Sequence, residues 1–369
     1  HKLSISITMT RKYTYFIAAL LGLLLSLASC SATKQHTLSA LEPASVDLAT
    51  TITKIGIINE SSTSRQSEYN TRIEQILSSK DHQLEKDGIE AAISGLFDEL
   101  VKDQRFDTVQ VIHTEVNNSQ GLGEMADIIS WQAIKAICDA HNVDAIFSLA
   151  YYEADTQISV KKKKIQEQNM LRQYVKVNGH EITLETLIEN GWRIYDPYNQ
   201  QVIDELVFND QITSTGTGAN EMDALYDISD RREAVLDQSK HTGSSYGSRL
   251  VPQEQDVIRD YYVRGSEKFI TAKKKAAEGD WLAASALWEE EVAHENARIK
   301  AKACYNMAFY NEMKGNYQTA LEWIEKAVEH DNNKANLTYK KALQKRITDS
   351  KLALQQLERS NLSASLELQ

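Results

Sequence analysis

Two copies of one short pattern, set 36 residues apart, constrain this chain more than any other feature of its sequence. Gly279-Asp280-Trp281, followed by Ala284 and Trp288, matches Gly315-Asn316-Tyr317, followed by Ala320 and Ile324. Self-similarity at a period of about 20–50 residues marks stacked supersecondary units. The physical reading is a pair of helical hairpins. Each glycine opens a turn between antiparallel helices, because glycine enters left-handed backbone at no steric cost. Ala308 and Ala320 let the two helix backbones approach, and the aromatic residue fills the gap. Leu337, Leu343, Ile347 and Leu354 recur at helical spacing and predict a closing helix over 336–358. The stretch 254–358 is expected to be all helix, with a tail at 359–369.

The period lies close to the roughly 34 of tetratricopeptide repeats. The second copy resembles that family at Met307, Ala308, Gly315, Tyr317, Ala320, Ile324 and Ala327, and departs from it at Asn332, where a proline often closes the unit. The resemblance implies a groove for peptides or protein segments, lined by the inner face of the first helix of a pair. On this chain that face is Lys302, Tyr305, Phe309, Glu312 and Met313. Aromatic and methionine side chains beside charges suit a peptide groove. The competing reading buries Tyr305 and Phe309 against a helix of the preceding segment.

The first half of the chain has another rhythm. ITKIGIIN (52–59) is β-branched and apolar and runs into Asn-Glu-Ser-Ser-Thr-Ser, which reads as a strand entering a loop. From Asp87 to Arg105, Ile89, Ile93, Leu96, Phe97, Leu100 and Val101 recur at helical spacing. Phe106 to Ile112 alternates as a strand, Ser130 to His141 is helical, and Val143 to Leu149 is an apolar strand. ADTQISVKK (154–162), GWRIYDPY (191–198) and QVIDELVF (201–208) complete the set, the last two as a hairpin around Pro-Tyr-Asn-Gln. The order β-α-β-α-β-β-β predicts an α/β layer domain with a mixed sheet over 51–210. With the all-α hairpins behind it, the fold class is α+β. Residues 211–253, low in apolar content, with a charged helix near 219–240 and HTGSSYGSRLVP (241–252), read as a loop-rich bridge, and 30–50 as a tether.

At the N-terminus, His1 to Thr8 precede Met9, the expected start. Arg11 and Lys12 are followed by the apolar run Phe16 to Leu27 and by Leu27-Ala28-Ser29-Cys30. A basic start, an apolar core of about 7–15 residues and small residues before a cut describe an export signal. The tetrad resembles the lipobox of bacterial lipoproteins. That resemblance implies cleavage after residue 29, a lipid on Cys30, and anchoring of the chain to a membrane through it. Two or more acyl chains hold a protein stably. No acidic cluster follows Cys30, which favours an outer membrane position facing the periplasm. Residues IGIIN, GLFDELVKDQRFDTVQVI, VDAIFSLAYYE and WRIYDP resemble the small α/β domain of the curli-secretion lipoprotein and of the Tol-system translocation protein. The combination of lipobox, Glu42-Pro43-Ala44-Ser45-Val46, this domain and the repeats resembles an uncharacterised family of Bacteroidetes lipoproteins.

Composition narrows the function classes. Residues 1–29 carry Lys2, Arg11 and Lys12 and no carboxylate, so their removal takes the formal charge from −11 to −14. Nucleic-acid binding requires phosphates to be neutralised by Lys and Arg, so no nucleic acid is expected. With Cys30 carrying lipid, Cys138 and Cys304 remain, each in a helical apolar pattern where a buried free thiol is the default and a disulfide the alternative.

No phosphate loop, nucleophile elbow, zinc spacing or dinucleotide fingerprint occurs, so no catalytic residue, cofactor or metal is expected. His113 with Glu115 offers two ligands and no third; His241 beside Ser244 and Ser245 reads as a connector, as do Gly216 and Gly218 among threonines. Trp192 to Pro197 reads as packing plus a turn. Lys161 to Lys164 read as a strand edge guarded by charge, with contact to anionic lipid headgroups as the alternative. The expectation is a non-enzymatic, lipid-anchored envelope protein that docks a protein or peptide partner in the groove. An oligomeric structural or secretion component is the first alternative, and an enzyme acting on envelope glycans or peptides the second.

Overall fold

The computed structural model describes residues 32–61, 72–114, 125, 127–168 and 170–366. Cys30, the export signal and Glu115 lie outside the described residues. The fold is α+β and divides into two compact units. One holds Pro43–Pro252 with the chain from Leu354. The other holds the described residues up to Glu42 together with Gln253–Ala353.

The first of these is the α/β unit. Its five strands, β2 (Lys54–Asn59), β3 (Thr108–Val111), β4 (Ala145–Gln168), β5 (Tyr174–Asp196) and β6 (Gln201–Gly218), lie in the order β3-β2-β4-β5-β6. β3, β2 and β4 are parallel and β4, β5 and β6 antiparallel, giving the expected mixed sheet. Period-two alternation sends side chains to two cores. Ile55 and Ile57, Phe147 and Leu149, and Trp192 and Ile194 point to one face, under α1 (Arg72–Leu100) and α4 (Arg231–Ser248). Ile58, Ile146 and Tyr195 point to the other, under α2 (Trp131–His141). Ser130 caps α2 by accepting from the Ala133 N–H at 3.3 Å, and Asn142 ends it in left-handed backbone.

Two sequence expectations change here. The separate strands 143–149 and 154–162 are one strand, β4, bent by a register shift between Leu149 and Tyr151. The 211–253 segment holds the expected helix near 219–240 but is not loop-rich around it. It completes β6, forms α3 (Glu221–Asp227), and then α4, which absorbs most of HTGSSYGSRLVP. Its glycines serve close packing. A Cβ on Gly243 would stand 2.0 Å from the Ala92 carbonyl oxygen, and one on Gly95 2.0 Å from that of Lys240. Ser244 donates to the Gly95 carbonyl at 3.2 Å across the same contact. Tyr246 from this helix stacks on Trp192 at 5.5 Å, where a loop could not hold it.

The second unit is built from α5 (Glu267–Ala277), α6 (Trp281–Glu291), α7 (Ala297–Met313), α8 (Tyr317–His330) and α9 (Lys334–Leu366), the last within this unit up to Ala353. Gly279 and Gly315 take φ of +82° and +76° at the two hairpin turns, as the repeat required. Ala284, Trp288, Ala308, Ala320 and Ile324 are buried together in one core. The expected tether is the exception. Thr33–Glu42 is a strand, β1, paired antiparallel with β7 (Gln253–Tyr262) over ten residues from Thr33 with Tyr262 to Glu42 with Gln253. The start of the supposedly all-helical stretch is thus the second strand of a ribbon. Leu38 and Tyr261 carry it into the helical core.

Cys138 and Cys304 are free and buried, one in each unit. Burial pushes their thiols up to about 12 and about 11. Neither is expected to react with iodoacetamide in the folded protein at neutral pH; mass spectrometry of the native and urea-unfolded chain checks this. Gly95→Val or Gly243→Val is expected to force α1 and α4 apart at a cost of about 1–3 kcal/mol, read as a lower urea midpoint.

Candidate functional site

The five residues expected to line the groove do share one face of α7, but that face is not open. The β1–β7 ribbon lies on it. Lys302 donates to the Arg264 carbonyl at 3.2 Å, and its ammonium stands 5.4 Å from the Tyr262 ring centroid. Tyr305 meets Tyr262 edge-on at 5.0 Å and Tyr339 at 4.7 Å. Phe309 is fully buried, stacked on Tyr261 at 5.2 Å, with His36 of β1 edge-on at 5.9 Å. Met313 packs at the margin of the same core. The alternative reading, in which Tyr305 and Phe309 are buried, describes the structure, with a β-ribbon as the covering element in place of a helix.

Two polar contacts fasten the ribbon. Asn306, wholly buried, accepts from the Tyr262 N–H at 2.7 Å and donates to the Tyr262 carbonyl at 2.7 Å. Its side-chain amide takes the place of a neighbouring strand. Glu312 accepts two hydrogen bonds from Arg259, at 2.9 Å from both Nε and Nη2, and one from the Tyr339 hydroxyl at 2.7 Å. Burial opposes the Arg259 charge, and the hydrogen bonds and charge of Glu312 more than offset it, raising the guanidinium pKa. Burial first, then the Glu312 charge, drives the Tyr339 hydroxyl far above its ordinary pKa. At the far end, Arg346 donates to Glu42 at 2.8 Å. Asn306, Arg259 and Arg346 were missed from sequence. The available signal was an asparagine among the apolar positions of a core helix.

The α/β unit offers a second concavity, a cleft of about 900 Å³ at the C-terminal ends of β2 and β3 beside α1. Sheets of this kind bind ligands beyond the carboxyl ends of parallel strands. Lys86, Glu90 and Ser94 of α1, Asn59 at the end of β2, Ser61 after it, and His113 and Thr114 after β3 supply its polar lining. The set can orient a polar ligand through a cation, an imidazole and hydroxyls. Of the other marked residues, His241 and Ser245 lie 3.4 Å apart on an exposed helix face. Gly216 and Gly218 give α3 room to approach β6. Trp192 is buried, and Asp196 closes the turn by accepting from the Tyr198 and Asn199 amides at 3.1 Å. Among the described residues no group of three or more metal-ligating side chains forms, and no helix is long and apolar enough to cross a membrane.

A family model described as Domain of unknown function (DUF8603) matches residues 52–262, more than half of the chain. The chain belongs to that family. A second model, Domain of unknown function (DUF6340), matches residues 270–349, the helical hairpins. The first match ends on Tyr262, the residue held by Asn306, so the DUF8603 segment contributes β7 to the helical unit. No curated protein matches the chain. Among solved structures, a PelC dodecamer from Paraburkholderia phytofirmans is 12% identical, with 59% of this chain and 98% of that chain covered at a TM-score of 0.23. A neuraminyllactose-binding hemagglutinin homolog from Helicobacter pylori is 9% identical, with 53% and 83% covered at 0.24. Both superpositions are loose.

Asn306→Leu keeps the volume but strands two buried backbone groups, each costing about 1–3 kcal/mol. Phe309→Ala removes the ring beneath Tyr261 and is expected to cost about 3–5 kcal/mol. Both losses should appear in chemical denaturation as destabilisation of the helical unit. A Tyr305→Ala/Phe309→Ala chain of unchanged stability would mean that the ribbon does not occupy this face in solution.

Proposed function

We propose that the chain is a lipid-anchored protein of the bacterial cell envelope that works by binding other proteins and carries out no reaction of its own. The sequence supports this through the signal and Leu-Ala-Ser-Cys, and the helical hairpins through their likeness to tetratricopeptide interaction modules. The observation that carries the reading is the ribbon. Thr33, the first residue of β1, follows Cys30 by only three residues. An extended chain spans at most about 3.6 Å per residue, so a lipid on Cys30 would hold this strand within roughly 11 Å of the bilayer surface. The helical unit would then be presented at the membrane by a strand built into its own core, with no slack tether between.

Because the ribbon fills the α7 face, a partner is met on other surfaces. The outward side of β7 carries Glu254, Asp256 and Asp260 around the exposed Ile258. Metabolic labelling with a palmitate analogue tests the anchor. Label, and retention on membranes washed in high salt, are expected for the native chain and loss of both for Cys30→Ala; a native chain that takes no label would refute it. In-cell crosslinking tests the rest. Distinct envelope proteins should be recovered with the native chain and lost with Cys30→Ala, whereas recovery of the chain alone would replace an adaptor by self-assembly.

A further inference from the structure

β4 and β5 are 24 and 23 residues long, far beyond the roughly 5–6 of an ordinary strand. The third strand does not follow them. β6 ends at Gly218, paired with His180. Beyond that point β4 and β5 continue as a two-stranded arm, from Lys163 opposite Gly179 to Gln168 opposite Tyr174. Six residue pairs make it about 20 Å long at ~3.4 Å per residue. Gln168 donates to the Arg172 carbonyl at 3.2 Å and closes the turn, where Arg172 takes φ +61°.

The arm differs in chemistry from the rest of the chain. Lys161, Lys162, Lys163, Lys164, Arg172 and Lys176 face one carboxylate, Glu167, between residues 161 and 176, in a chain of net charge −11. Lys163 is paired with Glu181, and the other five cations outnumber Glu167. The apolar side chains gather at the apex: Met170 is 104% exposed, Leu171 78% and Tyr174 72%. Opposed residues of an antiparallel pair share a face. Lys162, Lys164 and Lys176 therefore lie on one side of the stem, and Lys163 on the other with Ile165, which fills the space a Gly179 side chain would need.

We propose that this arm is a membrane-contacting finger: Met170 and Leu171 enter the hydrocarbon edge of an anionic bilayer, while the lysines engage lipid phosphates. One side of the stem carries Lys162, Lys164 and Lys176 and the other brings Ile165, Val175 and Val177 together, while lysines along strand edges oppose strand addition by a second copy. A cationic side, an apolar side and an apolar apex suit the boundary between a headgroup layer and hydrocarbon. Exposed strand edges are excluded from hydrocarbon, so only the turn enters and the stem stays among headgroups. Tyr174, just behind the apex, is of a residue type enriched at that depth.

The test uses residues 30–369 with Cys30→Ser, which has no acyl chain, so its outcome is independent of the anchor. Cosedimentation with phosphatidylglycerol-containing vesicles is expected, falling with added salt and at least about tenfold weaker on phosphatidylcholine. Each basic residue near such a surface contributes up to about fivefold. Lys162→Ala/Lys164→Ala/Lys176→Ala should therefore lose binding by more than tenfold, and the matching arginine variant should keep it. Leu171→Trp should shift its emission to the blue on vesicles, and Met170→Ser/Leu171→Ser should weaken binding at constant charge. Circular dichroism should be unchanged throughout, because these side chains lie outside both cores. Absence of binding, full binding by the alanine variant, or an unshifted tryptophan would overturn the proposal. So would vesicle-independent self-association that the same variants abolish, which would assign the arm to a second copy.

Discussion

The amide of Asn306 and the backbone of Tyr262 set the geometry of the helical unit. One side chain on α7 satisfies both polar groups of a strand residue, so β7 can lie on a helix, which offers no ladder of its own. The pairing also fixes where everything else falls. From Asn306 to Glu312 a helix advances about 9 Å at 1.5 Å per residue, and from Tyr262 back to Arg259 a strand covers about 10 Å. The two spacings agree, so the ribbon runs against α7 with Arg259 delivered to Glu312 and Tyr261 to Phe309. A slip of one residue would turn Tyr261 and Arg259 outward and deprive the buried Glu312 carboxylate of its hydrogen-bonded cation.

Much of this architecture was legible in the residues. The glycines at 279 and 315 announced their turns because the backbone there is left-handed, a requirement that few other residues meet. The parallel strands were readable from short β-branched runs, and the face of α7 from helical spacing. The ribbon was not. β1 buries only Leu38 and Ala40 of its ten residues, so its strand character comes from β7 and α7, which lie far away in sequence. β7 shows the same limit, since its inward Arg259 is polar and its inward partner is a carboxylate. The glycines and serines of α4 read as loop by local propensity, whereas the nearness of α1 is what demands them.

The groove illustrates how far a resemblance reaches. The residues carried over from the repeat pattern do form one surface, and they do hold an extended segment of protein. That segment belongs to the same chain. The repeat pattern specifies helices and their concave face; it says nothing of a strand, β7, that lies on them paired with β1, itself encoded more than 200 residues earlier. The boundary between the two family matches falls in the same place, between Tyr262 and the first residues of α5.

The pairing of Thr33 with Tyr262 also orders events in time. A chain leaves the ribosome N-terminus first, and β1 is the first of the described elements to do so. Its partner strand follows more than 200 residues later, and α7 later still. Contacts so distant in sequence form late, because the loop between them must close before they yield any stabilisation. β1 therefore stays without its partner strand until β7 has been made. Closure of the ribbon comes late and completes the helical unit.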